Sequence, residues 1–294
     1  GAFSNTSFNA DVDVIIGKEA RTQANSYVIT ALNVLDKPGL GNGIKSGSGG
    51  ALTGAAVAST VTGTAFTNVE VESGAVLLQM GDPNFAKGFL IGAEANLVAF
   101  DKMLVDASGV LAVPLGKSTI NLSQTGGATI NAATIRATGL LDIYSGGNAR
   151  LKAEGYSTSA GVAGAASADT TANYVGTNTV DILTGADLVS LTDIALRAGQ
   201  GSSGAQRVTV DAESRIFNKV AVPINIDPVA NAAAVVQANL NINAGTEVIA
   251  YQNVDLFSTS GRIDVRGYGL GKDFYKAILE GAAALVGSSL VLDI

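Results

Sequence analysis

One unit recurs along this chain and constrains its fold more than any other feature: two apolar residues two apart, two variable residues, then Gly. It reads Val69-Glu-Val71-Glu-Ser-Gly74, then Val180-Asp-Ile182-Leu-Thr-Gly185, then Leu240-Asn-Ile242-Asn-Ala-Gly245, with looser copies at Val12-Asp-Val14-Ile-Ile-Gly17 and Val208-Thr-Val210-Asp-Ala-Glu213, where Glu213 replaces the Gly. Apolar residues two apart share one face of a β-strand, and Gly supplies a bend where a Cβ would be costly. Repeated self-similarity of this kind predicts stacked coils.

In the two cleanest copies a second strand follows, at Ile194-Ala-Leu196 and Val254-Asp-Leu256, each preceded by a turn-favouring residue, Asp193 or Asn253. Two or more strands per coil are expected, with Ile182, Leu196, Ile242 and Leu256 facing inward. Between Phe89 and Leu122 the chain reads as five short strands punctuated by Gly, Asp or Pro. Stretches rich in Ala, Gly and Ser, near 39–64, 155–179 and 218–237, lose the alternation and read as insertions that leave the coils. Phe274, Ile278, Ala282 and Leu285 recur at helical spacing, so the segment from Lys272 to Val286 reads as one C-terminal helix before a last strand at Ser289–Ile294. The expected fold is all-β: a parallel β-helix (β-solenoid) spanning 1–294 as a single unit, either a protomer or a segment of a longer chain.

Composition narrows the function. Hydrophobic residues make up 47% but aromatics only 5%, with 36 Gly and no Trp, so the core must be built from small and β-branched side chains. The net charge of −7 and scattered Lys and Arg argue against nucleic acid as a partner. There is no His and no Cys, so the commonest catalytic base and thiolate metal ligands are missing. No apolar stretch approaches the roughly 18–20 residues of a membrane-spanning helix.

The Φ-x-Φ-x-x-Gly-Ala units, the following Asp/Asn-Φ-x-Φ strands and the Ala/Gly/Ser-rich stretches together resemble the β-helical repeat regions of large bacterial surface proteins, similar to filamentous haemagglutinin-type adhesins. The resemblance implies export to the bacterial cell surface or the extracellular space, a right-handed parallel β-helix, and a role in adhesion or surface structure.

Several local patterns invite chemistry. Gly116-Lys117-Ser118 resembles the end of a phosphate-binding loop, but the earlier Gly that such a loop needs falls at Leu111. Gly267-Tyr-Gly269-Leu-Gly271 follows a strand, yet the third Gly of a dinucleotide fingerprint would fall at Lys272. Asp211, Glu213 and Arg215 alternate along one strand face, as acids and bases do in β-helical polysaccharide-processing enzymes, but solvated neighbours lack the split pKa values of an acid–base pair. Glu70 with Glu72, and Asp181, Asp187 and Asp193, are candidate calcium ligands, although calcium needs six to eight converging oxygens; surface and turn acids are the plainer reading. No catalytic or cofactor-binding residue is therefore assigned.

The expected function is a non-enzymatic structural or adhesive module, with a carbohydrate-active β-helix enzyme or carbohydrate-binding module as the alternative. Its expected partners are copies of itself or further coils of the parent chain, and surface glycans. Phe3, Phe8, Leu290, Leu292 and Ile294 are the candidate self-association residues, because they place apolar side chains at the two ends and suggest assembly into a filament.

Overall fold

The computed structural model describes residues 1–38, 43–81, 88–224, 228–272 and 282–292. Of the described residues 82% are strand, and none of them is helical. Its strands form a 12-stranded sheet, a 5-stranded sheet and a 2-stranded hairpin, and every pairing except the hairpin is parallel.

The registers explain why the sequence repeats. Ile16, Val71, Ile130, Ile182, Ile242 and Leu292 stand in one column, each paired with the next, 50 to 60 residues further along the chain. After a corner, the five-stranded sheet stacks Arg21–Ala24, Val76–Gln79, Thr134–Ala137, Asp187–Ser190 and Glu247–Ala250 in chain order. After a second corner, Ile29, Ile91, Ile143, Leu196 and Leu256 form another column. Each passage of the chain thus lies in register on the one before, a path consistent with a β-helix-like fold.

The predicted inward residues lie as expected. Ile182 and Leu196 are fully buried and Ile242 is nearly so, while Leu256, with no neighbour beyond it among the described strands, packs partly buried against the same core. A fully buried aliphatic side chain contributes about 1.5–3 kcal/mol, and in-register stacking brings like against like down each column.

The corner glycines also do what the spacing implies. Gly74, Gly185 and Gly245 have φ of 77°, 84° and 77°, in the left-handed region where a Cβ is strained. In the first passage, however, Ile16 pairs with Val71, so the residue at the place of Gly74 is Glu19, with φ of 60°, and not Gly17. Glu213 does not stand in for a corner glycine either. It lies within the strand Arg207–Pro223, paired with Glu154 and Tyr268.

Four expectations are corrected. First, the five short strands of the middle block are parts of one 42-residue strand, Phe89–Ile130, because its register with Ile44–Val71 continues across Pro114, even though on the other side Val113 and Pro114 stand unpaired between its ladders with Leu141–Gly164 and Ser167–Ile182. Second, the described parts of the stretches read as insertions lie within or between strands of the ladders; 39–42 and 225–227 lie outside the described residues. Ile44–Val71, Leu141–Gly164, Ser167–Ile182 and Val229–Ile242 are paired in parallel ladders, and their alternation is carried by small residues: Ala168, Ala172 and Ala230 are fully buried. Third, the expected helix is not seen. Lys272 closes the strand Arg262–Lys272, and residues 282–286 belong to the strand Ala282–Leu292. There they pair with 232–236, whose edge a helix would leave unpaired; 273–281 lie outside the described residues. Fourth, Asp193 and Asn253 do not simply bond their own backbone. The Asn253 amide donates to the Asp193 carboxylate at 2.8 Å, tying one passage to the next.

Candidate functional site

Outward side chains stack down the ladder as the inward ones do, and this converts isolated polar residues into rows. Asn173 donates to Asn121 at 2.8 Å, Asn241 to Asp181 at 2.6 Å and Asn148 to Asn96 at 3.0 Å, each across a register pair.

The individual sequence patterns resolve in these terms. Lys117 and Ser118 lie in the strand Phe89–Ile130; Lys117 is exposed, and the buried Ser118 hydroxyl donates to Asp101 at 2.5 Å, so no phosphate loop forms. Gly267 and Gly269 are buried within the strand Arg262–Lys272 and do not form a strand-to-helix loop. Glu70 accepts from the Asn131 amide at 2.8 Å and Glu72 from the Lys18 backbone N–H at 2.7 Å. Asp181 pairs with Asn241, Asp187 with Arg136 and Asp193 with Asn253, so the three Asp residues have separate partners. Among the described residues no group of three His, Cys, Asp or Glu side chains could hold a metal ion.

Of the end residues, Phe3 is 79% exposed, whereas Phe8 turns inward against the core cluster that includes Val61 and Leu122. Five residues apart in one strand, they necessarily face opposite ways. Leu290 and Leu292 pair with Leu240 and Ile242, and Ile294 lies outside the described residues.

The structure assembles two features on one outer face. The first is a charged band in which Asp211, Glu213 and Arg215 are only one strand. In register beside them lie Lys152, Glu154 and Tyr156, and beyond those Phe100, Lys102 and Leu104. Glu154 forms ion pairs with Lys152 and, at 3.9 Å, with Lys102; Glu213 pairs with Arg215, and Arg266 with Asp211 at 3.2 Å. Lys102 and Arg215 lie over the Tyr156 ring at 5.3 and 5.6 Å from its centre. Burial, with the Glu154 and Glu213 charges, pushes the Tyr156 hydroxyl above its usual pKa. The hydrogen bond that Lys152 donates to the Glu154 carboxylate raises the Lys152 pKa, against the opposing effect of its burial. Two carboxylates on neighbouring strands, 16% and 9% exposed, are thus enclosed by three cations and a protonated phenol. Sequence alternation located one strand of this band; the register supplied the rest.

The second feature is a groove of about 660 Å³ beside the hairpin formed by Gln200–Gly201 and Gly204–Ala205. Its floor is the row Asn96, Asn148, Arg207 and Arg262, with Val98, Arg150 and Thr209 in the row alongside. The floor is ordered by a directional chain of hydrogen bonds: the Arg207 N–H donates to Asn148 at 2.9 Å, Asn148 to Asn96, and Asn96 to the Glu94 carboxylate at 2.9 Å. Glu94 also receives the Ser202 backbone N–H and hydroxyl at the hairpin tip. Burial opposes its ionisation, but these donors and the Arg197 charge outweigh burial and hold its carboxyl below the usual range. Arg197 in turn bonds both oxygens of Asp142 and the Gly201 carbonyl, and lies over Tyr144, whose ring covers Gly92 so closely that a Cβ there would stand 2.1 Å from it. Nothing in the local sequence marks this groove, because its residues come from four separate passages of the chain.

No family model matches the chain, and comparisons with curated proteins and with solved structures return no match either.

Proposed function

We propose that this chain is a β-solenoid serving as a structural or adhesive module of a secreted or cell-surface protein. The observation that carries this reading is the uninterrupted parallel register, Ile16 to Leu292 in one column, in which each passage covers the last. Such stacking makes a quasi-one-dimensional body with a long, regular outer surface. The outward Asn and Asp rows reinforce it between passages, and their side chains are committed to that task. Among the described residues no helix is long and apolar enough to cross a membrane. Association end to end, with Phe3 exposed at one end, belongs to the same proposal. Electron microscopy of the isolated protein and a glycan array followed by a reducing-end assay test it: an elongated particle that binds without cleaving supports the module, and a compact particle or turnover of a bound glycan overturns it.

A second reading, carbohydrate-active rather than purely adhesive, is favoured by one observation, the register pairing of Glu154 with Glu213 among Lys102, Lys152 and Arg215. Its test is turnover in the reducing-end assay that disappears in both Glu154→Gln and Glu213→Gln.

A further inference from the structure

The chain carries 25 Asp and Glu against 18 Lys and Arg, yet the groove beside the hairpin is lined by three arginines, Arg150, Arg207 and Arg262. Their arrangement follows from the ladder. Arg207 and Arg262 are register partners, and Arg150 stands beside Thr209, one strand back and two residues along. Neighbouring strands are about 4.8 Å apart, so the three guanidinium groups arise from one small area. Only Arg262 is neutralised, by Asp264 at 2.8 Å. Arg150 lies over the Phe100 ring at 5.1 Å, and among the described residues neither it nor the Arg207 guanidinium has a hydrogen-bonding or ionic partner. The other acid nearby, Glu94, is committed to Ser202 and Asn96.

We infer that this groove binds a carboxylate-bearing polysaccharide, a chain of uronate sugars. The inference rests on the adhesive part of the proposed function and names the ligand class and the site. Guanidinium forks match planar carboxylates in two parallel hydrogen bonds. The floor from Asn96 to Arg262 crosses four strands, about 14 Å at the usual spacing, which suits an extended chain better than a single small anion. Around the arginines, Ser203 and Thr209 supply hydroxyls, and the Asn96 and Asn148 amides each keep a second N–H beyond the one used in the floor's hydrogen-bond chain, to meet sugar hydroxyl groups. No aromatic ring lines the groove, so the stacking platform of a single-stranded nucleic acid site is missing.

Fluorescence anisotropy with labelled oligogalacturonate decides the matter, compared with its carboxyl-reduced neutral counterpart, dextran sulfate and a single-stranded oligonucleotide. Oligogalacturonate is expected to bind, to weaken with added salt, and to lose about tenfold or more in affinity in the Arg150→Ala/Arg207→Ala double variant. Arg21→Ala, on the separate five-stranded sheet, is expected to bind like the parent. The double variant removes guanidinium groups that have no hydrogen-bonding or ionic partner and one contact with the Phe100 ring, so its melting temperature should fall by no more than about 4 °C. Equal binding of the neutral chain, tighter binding of dextran sulfate or the oligonucleotide, no binding, or an affinity untouched by the double variant each overturns the assignment. If it falls while the glycan array still yields a ligand, the adhesive reading stands without this site; if the array is also empty, both fall.

Discussion

Ser202 donates both its backbone N–H, at 2.8 Å, and its hydroxyl, at 2.7 Å, to the same carboxylate oxygen of Glu94, a residue 108 positions earlier in the chain. This oxygen, Oε2, pins the hairpin tip to the face of the sheet, while the other, Oε1, accepts from Asn96 and ends the hydrogen-bond chain running along the groove floor through Asn96 and Asn148. Charge-assisted bonds of this kind are roughly twice as strong as neutral ones. Glu94→Gln should therefore cost about 1–3 kcal/mol and speed hydrogen exchange at the hairpin amides, while exchange in the five-stranded sheet is unchanged. Exchange that accelerates everywhere, or nowhere, would contradict a local clasp.

The same carboxyl gives the pH dependence a definite sign. Its folded pKa is depressed, so its contribution to stability is complete above the unfolded value of about 4.3 and is lost as pH falls through the lower, folded value. Urea midpoints measured from neutral to acid pH should show a smaller acid-side loss in Glu94→Gln than in the parent. Parallel curves would mean that Glu94 has the same pKa folded and unfolded.

Ile143 lies in the middle of the column Ile29, Ile91, Ile143, Leu196 and Leu256 and is fully buried. Truncation to Ala should cost about 2–5 kcal/mol by denaturant unfolding, the range for cavity-forming changes. Val175, on an outward position and 46% exposed, serves as the control, with an expected effect within about 0.5 kcal/mol. Equal effects at the two sites would show that the strand faces are assigned the wrong way round.

Glu19 is the one described non-glycine residue with a positive φ, at a corner where later passages place Gly74, Gly185 and Gly245. Glu19→Gly should raise stability by about 1 kcal/mol through relief of strain, and Gly185→Ala should lower it by a similar amount or more. A lower melting temperature for Glu19→Gly would mean that the Glu19 side chain, packed beside Gly74, contributes more than its backbone costs.

Tyr174 is buried, and its hydroxyl donates to the Gln124 side chain at 2.7 Å; the Gln124 amide reaches Asn178 at 3.1 Å, and Asn178 donates to Gln206 at 2.8 Å. Burial raises the phenol's pKa far above its ordinary value. In a spectrophotometric titration, Tyr174→Phe should leave the phenolate signal unchanged until the fold itself is lost, while costing about 1–3 kcal/mol for the orphaned Gln124 oxygen. A reduced phenolate signal in the native range would place Tyr174 within reach of solvent.

The sequence by itself determined the local geometry. Alternation at Val180 and Ile182 or Leu240 and Ile242 put those side chains inward, and glycine at 74, 185 and 245 set the corners, because both follow from steric rules acting within a few residues. It also established the core's character, since a chain so poor in aromatics must pack small and β-branched side chains. Only the tertiary structure decided which passages pair, and at what offset. Backbone hydrogen bonds between parallel strands are indifferent to side-chain identity, so Ala- and Gly-rich segments such as Leu141–Gly164 join a ladder without displaying a strong hydrophobic period. Pairing with 232–236 likewise made strand of residues 282–286, whose spacing alone favoured a helix. The candidate sites depend on this step most of all. Glu94 meets Ser202, Glu154 meets Glu213, and Arg207 meets Arg262 only because parallel stacking brings together residues more than 50 positions apart. No window of sequence shorter than a full passage contains both members of such a pair.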